Sequence, residues 1–167
     1  MFYFLTPKNM HYLYFVVFNQ EDAETSRQAL KTASDILWQE NFCVPIGFFG
    51  GKAEHFTAGG RWSGILQLLK LGIDSKDFED LSDEEKQNFW EKRGGTGTFP
   101  DLRKNSSGYE GCDDDAMIVD QPLYQKLREK YPEVEVFNIV CYQEDIFANF
   151  EPENILGKWI VLIDYQS

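Results

Sequence analysis

Two rhythms of apolar and polar positions run along this chain, and each change of rhythm marks an element. "HYLYFVVFN" at 11–19 is dense in aromatic and β-branched side chains, which fit a buried pleated surface, so it predicts a strand. From Gln20 to Asn41 the spacing becomes helical. Ala23, Leu30, Ala33 and Leu37 share one side, and acids fill the first turn, where the helix dipole favours them. This predicts an amphipathic helix packed on the first strand. "FCVPIGFFG" (42–50) is an apolar run broken by Pro45 and Gly47, which suits an edge strand or a bend.

The rhythm fades between Gly47 and Gly111, a window holding 12 of the 13 glycines. Two helices are predicted inside it. One covers 63–71 and ends at Gly72; the other is "LSDEEKQNFWEK", where Ser82 and Glu85 have the spacing of a capping box. "RGGTGTFPDLRKNSSGYEGC" (93–112) reads as a long loop. Regular patterning then returns. "DAMIVD" predicts a strand and "QPLYQKLREKY" a helix with Leu123, Tyr124, Leu127 and Tyr131 inward. "VEVFNIVCY" and "KWIVLIDY" predict two more strands. A β-α-β start and a β-α-β-β finish imply an α+β fold: a two-layer sandwich, helices on one face of a mixed or antiparallel sheet. The specific expectation is one domain over 1–167, ferredoxin-like, with the glycine-rich 47–112 region inserted in its middle.

Composition narrows the class. Apolar residues make up 43% of the 167 positions and aromatic ones 16%, enough to force collapse into a core. The formal charge is -12, from 28 acids against 16 bases. So acidic a surface repels nucleic acid and anionic membranes and favours basic partners. Three scattered cysteines form no CxxC pair, which implies reduced thiols and neither a disulfide framework nor a zinc knuckle. The opening "MFYFLTPKNMHYLYFVVF" lacks a basic region, a cleavage site and a membrane-length apolar run, so a soluble cytoplasmic protein is expected.

Candidate chemistry centres on "HFTAGGRWSG" (55–64). A glycine-rich loop can cradle an anion on bare amides, and an arginine can clamp it. His55, Gly59, Gly60 and Arg61, with the distant Asp114, would form such an anion or ligand site. The Gly-Lys-Ser/Thr ending of a phosphate loop is missing, however, and so is dinucleotide spacing. A tight turn fits better, with Gly59 or Gly60 at positive φ, Trp62 in the core, and Arg61 paired to Asp113, Asp114, Asp115 or a backbone carbonyl. "CDDDAMIVD" lacks the alternating ligands and closing glutamate of a calcium loop, so no metal is assigned. No serine elbow or local thiol signature supplies a nucleophile; catalytic residues and cofactors are therefore not expected.

"AGGRWSG", followed by "DDDAMIV" and the "YQKLREKY" helix, resembles a group of small bacterial and phage proteins that pair a GGRW-Ser/Asp-Gly motif with an Asp-Asp-Ala strand. The resemblance carries no activity; it implies that the two islands meet in space.

Acidic runs complete the picture. Residues 73–92 hold eight acids and three bases, and 131–157 hold six acids and no base. Acids interleaved with aromatics can copy the charge pattern of a nucleic-acid backbone. The expected partner is a basic protein of a nucleic-acid-handling complex, met through Asp77, Asp80, Asp83, Glu84, Glu85, Glu144, Asp145, Glu151 and Glu153. The concrete version is a phage- or mobile-element inhibitor of the anti-restriction or anti-CRISPR type. The alternative is a small enzyme or ligand-binding module at Arg61 and His55.

Overall fold

The computed structural model describes residues 10–43, 53–103 and 113–166. Six strands form one open mixed sheet: β1 (His11–Phe18), β2 (His55–Ala58), β3 (Ala116–Ile118), β4 (Glu135–Asn138), β5 (Gln143–Ile146) and β6 (Trp159–Gln166). Its order is β2-β6-β1-β4-β5, with β3 also on β6. β1 and β4 run parallel, and every other pair is antiparallel. Because β2 takes residues 163–166 of β6 and β3 takes 159–161, the two short strands lie end to end along one edge.

Side-chain alternation on the central strands builds two cores at once. Tyr14, Val16 and Phe18 of β1 join Trp159, Val161, Ile163 and Tyr165 of β6 on one face. Helix α1 (Ser26–Gln39) covers them with Ala29, Ala33 and Leu37, and Thr25 caps its first turn. Phe15, Val17, Ile160 and Leu162 point the other way. There they meet Leu66 and Leu69 of α2 (Ile65–Leu71) and Leu123, Tyr124 and Leu127 of α5 (Gln121–Lys130). Between α2 and α5 come α3 (Asp83–Lys92) and the single turn α4 (Pro100–Arg103), which share a small third core of Ile73, Trp90 and Phe99.

The α+β class and the mixed sheet are as expected. Two details are corrected. Helices cover both faces, because β1 and β6 are apolar at odd and even positions alike, and one helical layer would leave the other face wet. The connectivity also departs from a ferredoxin-like order, since β4 lies beside β1 and its hairpin partner β5 follows it to the edge. Strands β2 and β5 are not predicted by the pattern, because HFTA and QEDI are short and place no residue in the buried class, so no apolar run marks them. β2 and α2, both inside the glycine-rich window, supply a sheet strand and core leucines. The 42–50 run lies mostly outside the described residues.

Ala29 and Ala33 are fully buried where α1 meets the sheet, so that contact is close because the side chains are small. Leucine at Ala33 should cost about 1–3 kcal/mol through overpacking. The measurement is urea unfolding, with a lower midpoint and an unchanged slope expected.

Candidate functional site

The motif GGRWSG is a turn held from below by two buried carboxylates. β2 runs into it, Gly59 N–H donates to the Leu162 carbonyl, and Gly60–Trp62 form a 3₁₀ turn. Gly59 and Gly60 have φ of 81° and 55°. Asp164 of β6 accepts the Arg61 backbone N–H at 2.9 Å. A Cβ on Gly60 would collide with the Asp164 side chain, so glycine is demanded by both φ and space. Two residues on, the fully buried Asp115 accepts the Ser63 hydroxyl at 2.8 Å and the Gly64 N–H at 2.7 Å. Gly64, at φ 89°, lies against Pro100 and Arg103 and opens α2. The two sequence islands thus meet in space through Asp115, and Trp62 packs half-buried against the core beneath α2.

Consecutive aspartates 113–115 take three different partners. Asp113 pairs with Arg27 at 3.5 Å on the surface. Asp114 receives both terminal nitrogens of Arg103, at 3.3 and 3.2 Å, a forked and largely buried pair. Asp115 serves the turn. A single cation could not draw the three together without breaking these bonds, and no cluster of three metal-ligating side chains occurs among the described residues.

Arg61 itself is exposed, and its guanidinium reaches none of the three aspartates. Arg103 has taken the role expected of it, because Arg103 reaches Asp114 from α4 while Arg61 points off the turn. Arg61 instead lines a cavity of about 240 Å³ with Gly60, Thr57, His11, Asp164 and Gln166. The anion site expected from His55, Arg61 and Asp114 is therefore not assembled. His55 is exposed on β2, Gln166 stands between it and His11 in register, and Asp114 belongs to Arg103.

The residues that do gather, His11, Asp164 and Gln166, come from strands that sequence reading took as plain core. One signal was available: Asp164 is an acid directly after the apolar run Trp159 to Ile163, in a strand buried on both parities. His11 Nδ1–H donates to Asp164 at 2.7 Å, and the Gln166 amide donates to His11 Nε2 at 2.8 Å. Both ring nitrogens are engaged, so the histidine ties β1 to β6 as a strut between strands.

The nine candidate partner-binding acids divide by environment. Asp77 accepts the Asp74 N–H, completing a capping box in the turn Ser75–Asp77. Asp80, Asp83, Glu84 and Glu85 are exposed, the last three in the first turn of α3, where Ser82 accepts the Glu85 N–H. No hydrogen bond or ion pair holds these four carboxylates among the described residues. In the second run, Glu144 accepts the Tyr14 hydroxyl at 2.7 Å. Asp145 accepts Asn149 Nδ2–H and the Ile146 N–H, which hold its carboxyl below the usual range. Glu151 and Glu153 are exposed around the turn Pro152–Asn154. No described helix is long and apolar enough to cross a membrane. Comparison of the chain with family models, curated proteins and solved structures finds no match.

Gly60→Ala should destabilise by at least about 2 kcal/mol, since a left-handed alanine alone costs about 1–3 kcal/mol and the Asp164 collision adds to it. A melting point within error of wild type would show that the turn can be remade without Asp164. A second expectation concerns alkali. Burial, reinforced by the Glu144 hydrogen bond, pushes the Tyr14 phenol far above its ordinary value. Below about pH 10 the phenol keeps its proton folded or unfolded; above that only the folded chain keeps it, so stability falls as pH rises. Tyr14→Phe should therefore melt with a shallower decline than wild type between about pH 9 and 11. Parallel declines would place the alkaline transition elsewhere.

Proposed function

We propose that this protein is a non-enzymatic acidic binding module that occupies the basic, nucleic-acid-binding surface of a protein partner. One observation carries the reading: Asp80, Asp83, Glu84 and Glu85 stand exposed at and just before the start of α3, with no hydrogen bond or ion pair on their carboxylates among the described residues. Surface acids that merely keep a protein soluble need no rigid support. Asp83, Glu84 and Glu85 sit on a helix fixed by the Ser82 cap, the buried Trp90 and the Lys86–Asp101 pair at 2.6 Å, and Asp80 stands two residues before that cap. A preorganised row of charge loses little on binding and steers a basic partner toward it. The committed His11–Asp164–Gln166 chain weighs against chemistry at the other candidate site.

The test is affinity capture with two baits, wild type and the triple variant Asp80→Asn, Glu84→Gln, Glu85→Gln, with bound proteins identified by mass spectrometry. Neutral amides are preferred to lysines because cations in a first helical turn would oppose the dipole and weaken α3. A basic nucleic-acid-handling protein should be enriched on wild type and bind the variant about tenfold more weakly, as losing three steering charges allows. Its affinity for wild type should fall as salt rises, since the screening length shrinks from about 10 Å at 0.1 M to 3 Å at 1 M. Equal capture by both baits, independent of salt, would reduce the acidic helix to a solubility device.

A further inference from the structure

The sheet leaves a second opening, remote in sequence from the acidic helix. β1 extends past the start of β4, whose pairing with it begins at Tyr14 opposite Glu135. Below that point β1 pairs, among the described residues, with β6 alone, and the chain leaving α5 lies beside the gap. A cavity of about 580 Å³ results, lined by Tyr12, Leu13 and Tyr165 from the sheet and by residues 129–135 from the end of α5. Tyr12 and Tyr165 lie directly opposite each other and stack at 5.1 Å. From the other face of the sheet Tyr131 offers a third ring, held edge-on by Phe15 at 6.4 Å.

The charge around these rings is one-sided. Among the described residues Glu129, Glu133 and Glu135 line the cavity, against one base, Lys130. The cavity also sits at the C-terminal end of α5, where the helix dipole favours positive charge. The chain itself shows that a cation is accepted here: the Lys130 ammonium lies 5.8 Å from the Tyr131 ring centroid, within the range at which a ring face attracts a cation.

We propose that this cavity is a receptor for an arginine side chain presented by a protein partner. Three terms select a guanidinium. Its delocalised plane stacks on tyrosine faces, its forked N–H groups match carboxylates on the rim, and the space far exceeds what a bare ammonium fills. Lys130 acts as the resident competitor that an incoming arginine displaces. That the arginine belongs to a basic partner rests on the reading above; the chemistry of the cavity does not.

The experiment titrates the whole protein with N-acetyl-arginine amide, followed by amide NMR shifts. N-acetyl-lysine amide and the neutral isostere N-acetyl-citrulline amide serve as controls. Arginine should shift residues around 12–13, 129–135 and 165, bind about two- to fivefold more tightly than lysine, and leave citrulline without effect. Tyr131→Leu and Glu133→Gln should each weaken binding by at least about threefold, whereas Lys130→Gln should strengthen it by a similar factor. The Lys130→Gln gain cannot come from misfolding and keeps the test decisive if Tyr131→Leu is unstable. Citrulline binding as well as arginine, lysine matching arginine, shifts confined to α3, no binding at all, or variants that all behave as wild type would each overturn the proposal. The α3 amide variant should bind the probe like wild type, so failure here and failure of the acidic-helix reading are told apart.

Discussion

Most of the sheet is registered by one strand, β6, which pairs with β1 along its whole length and with β2 and β3 end to end on its other side. Its residues Trp159 to Tyr165 are all buried. Such a strand must be apolar on both parities, and it must find helices for both faces. α1 answers on one side, α2 and α5 on the other. The layering of the molecule follows from that single requirement.

The same strand carries the one charge that this environment admits. Asp164 survives burial because His11 and the Arg61 N–H satisfy it, as Ser63 and the Gly64 N–H satisfy Asp115. Each carboxylate anchors one end of GGRWSG, so the turn is pinned at both ends to different strands or their approaches. Glycines in this motif serve close approach of backbone to carboxylate, the reverse of a phosphate cradle. Negative charge is already built in beneath the amides that an anion would need, which is why the motif reads as architecture.

Acids elsewhere are disposed in a graded way. Those of β5 are drawn into bonds, Glu144 with the distant Tyr14 and Asp145 with the nearby Asn149. Those at the start of α3 are left to solvent on a rigid support. Those at the end of α5 surround tyrosines.

Local pattern alone determined much of this. The 11–18 and 159–166 strands, the α1 and α5 periodicities, the Ser82 cap and the Gly72 terminus were legible because each depends on neighbours within about one or two turns of chain. The glycine turn and its positive φ values were legible for the same reason. What sequence could not assign was partnership across the chain. Arg61 and Arg103 carry the same charge, yet only Arg103, placed by α4, reaches Asp114. His11 and His55 flank the same Gln166 in register, yet only His11 bonds to Asp164 and Gln166. Those choices turn on ångström distances between segments from 11 to 155 residues apart, set by strand register and helix placement, and only the tertiary structure fixes them.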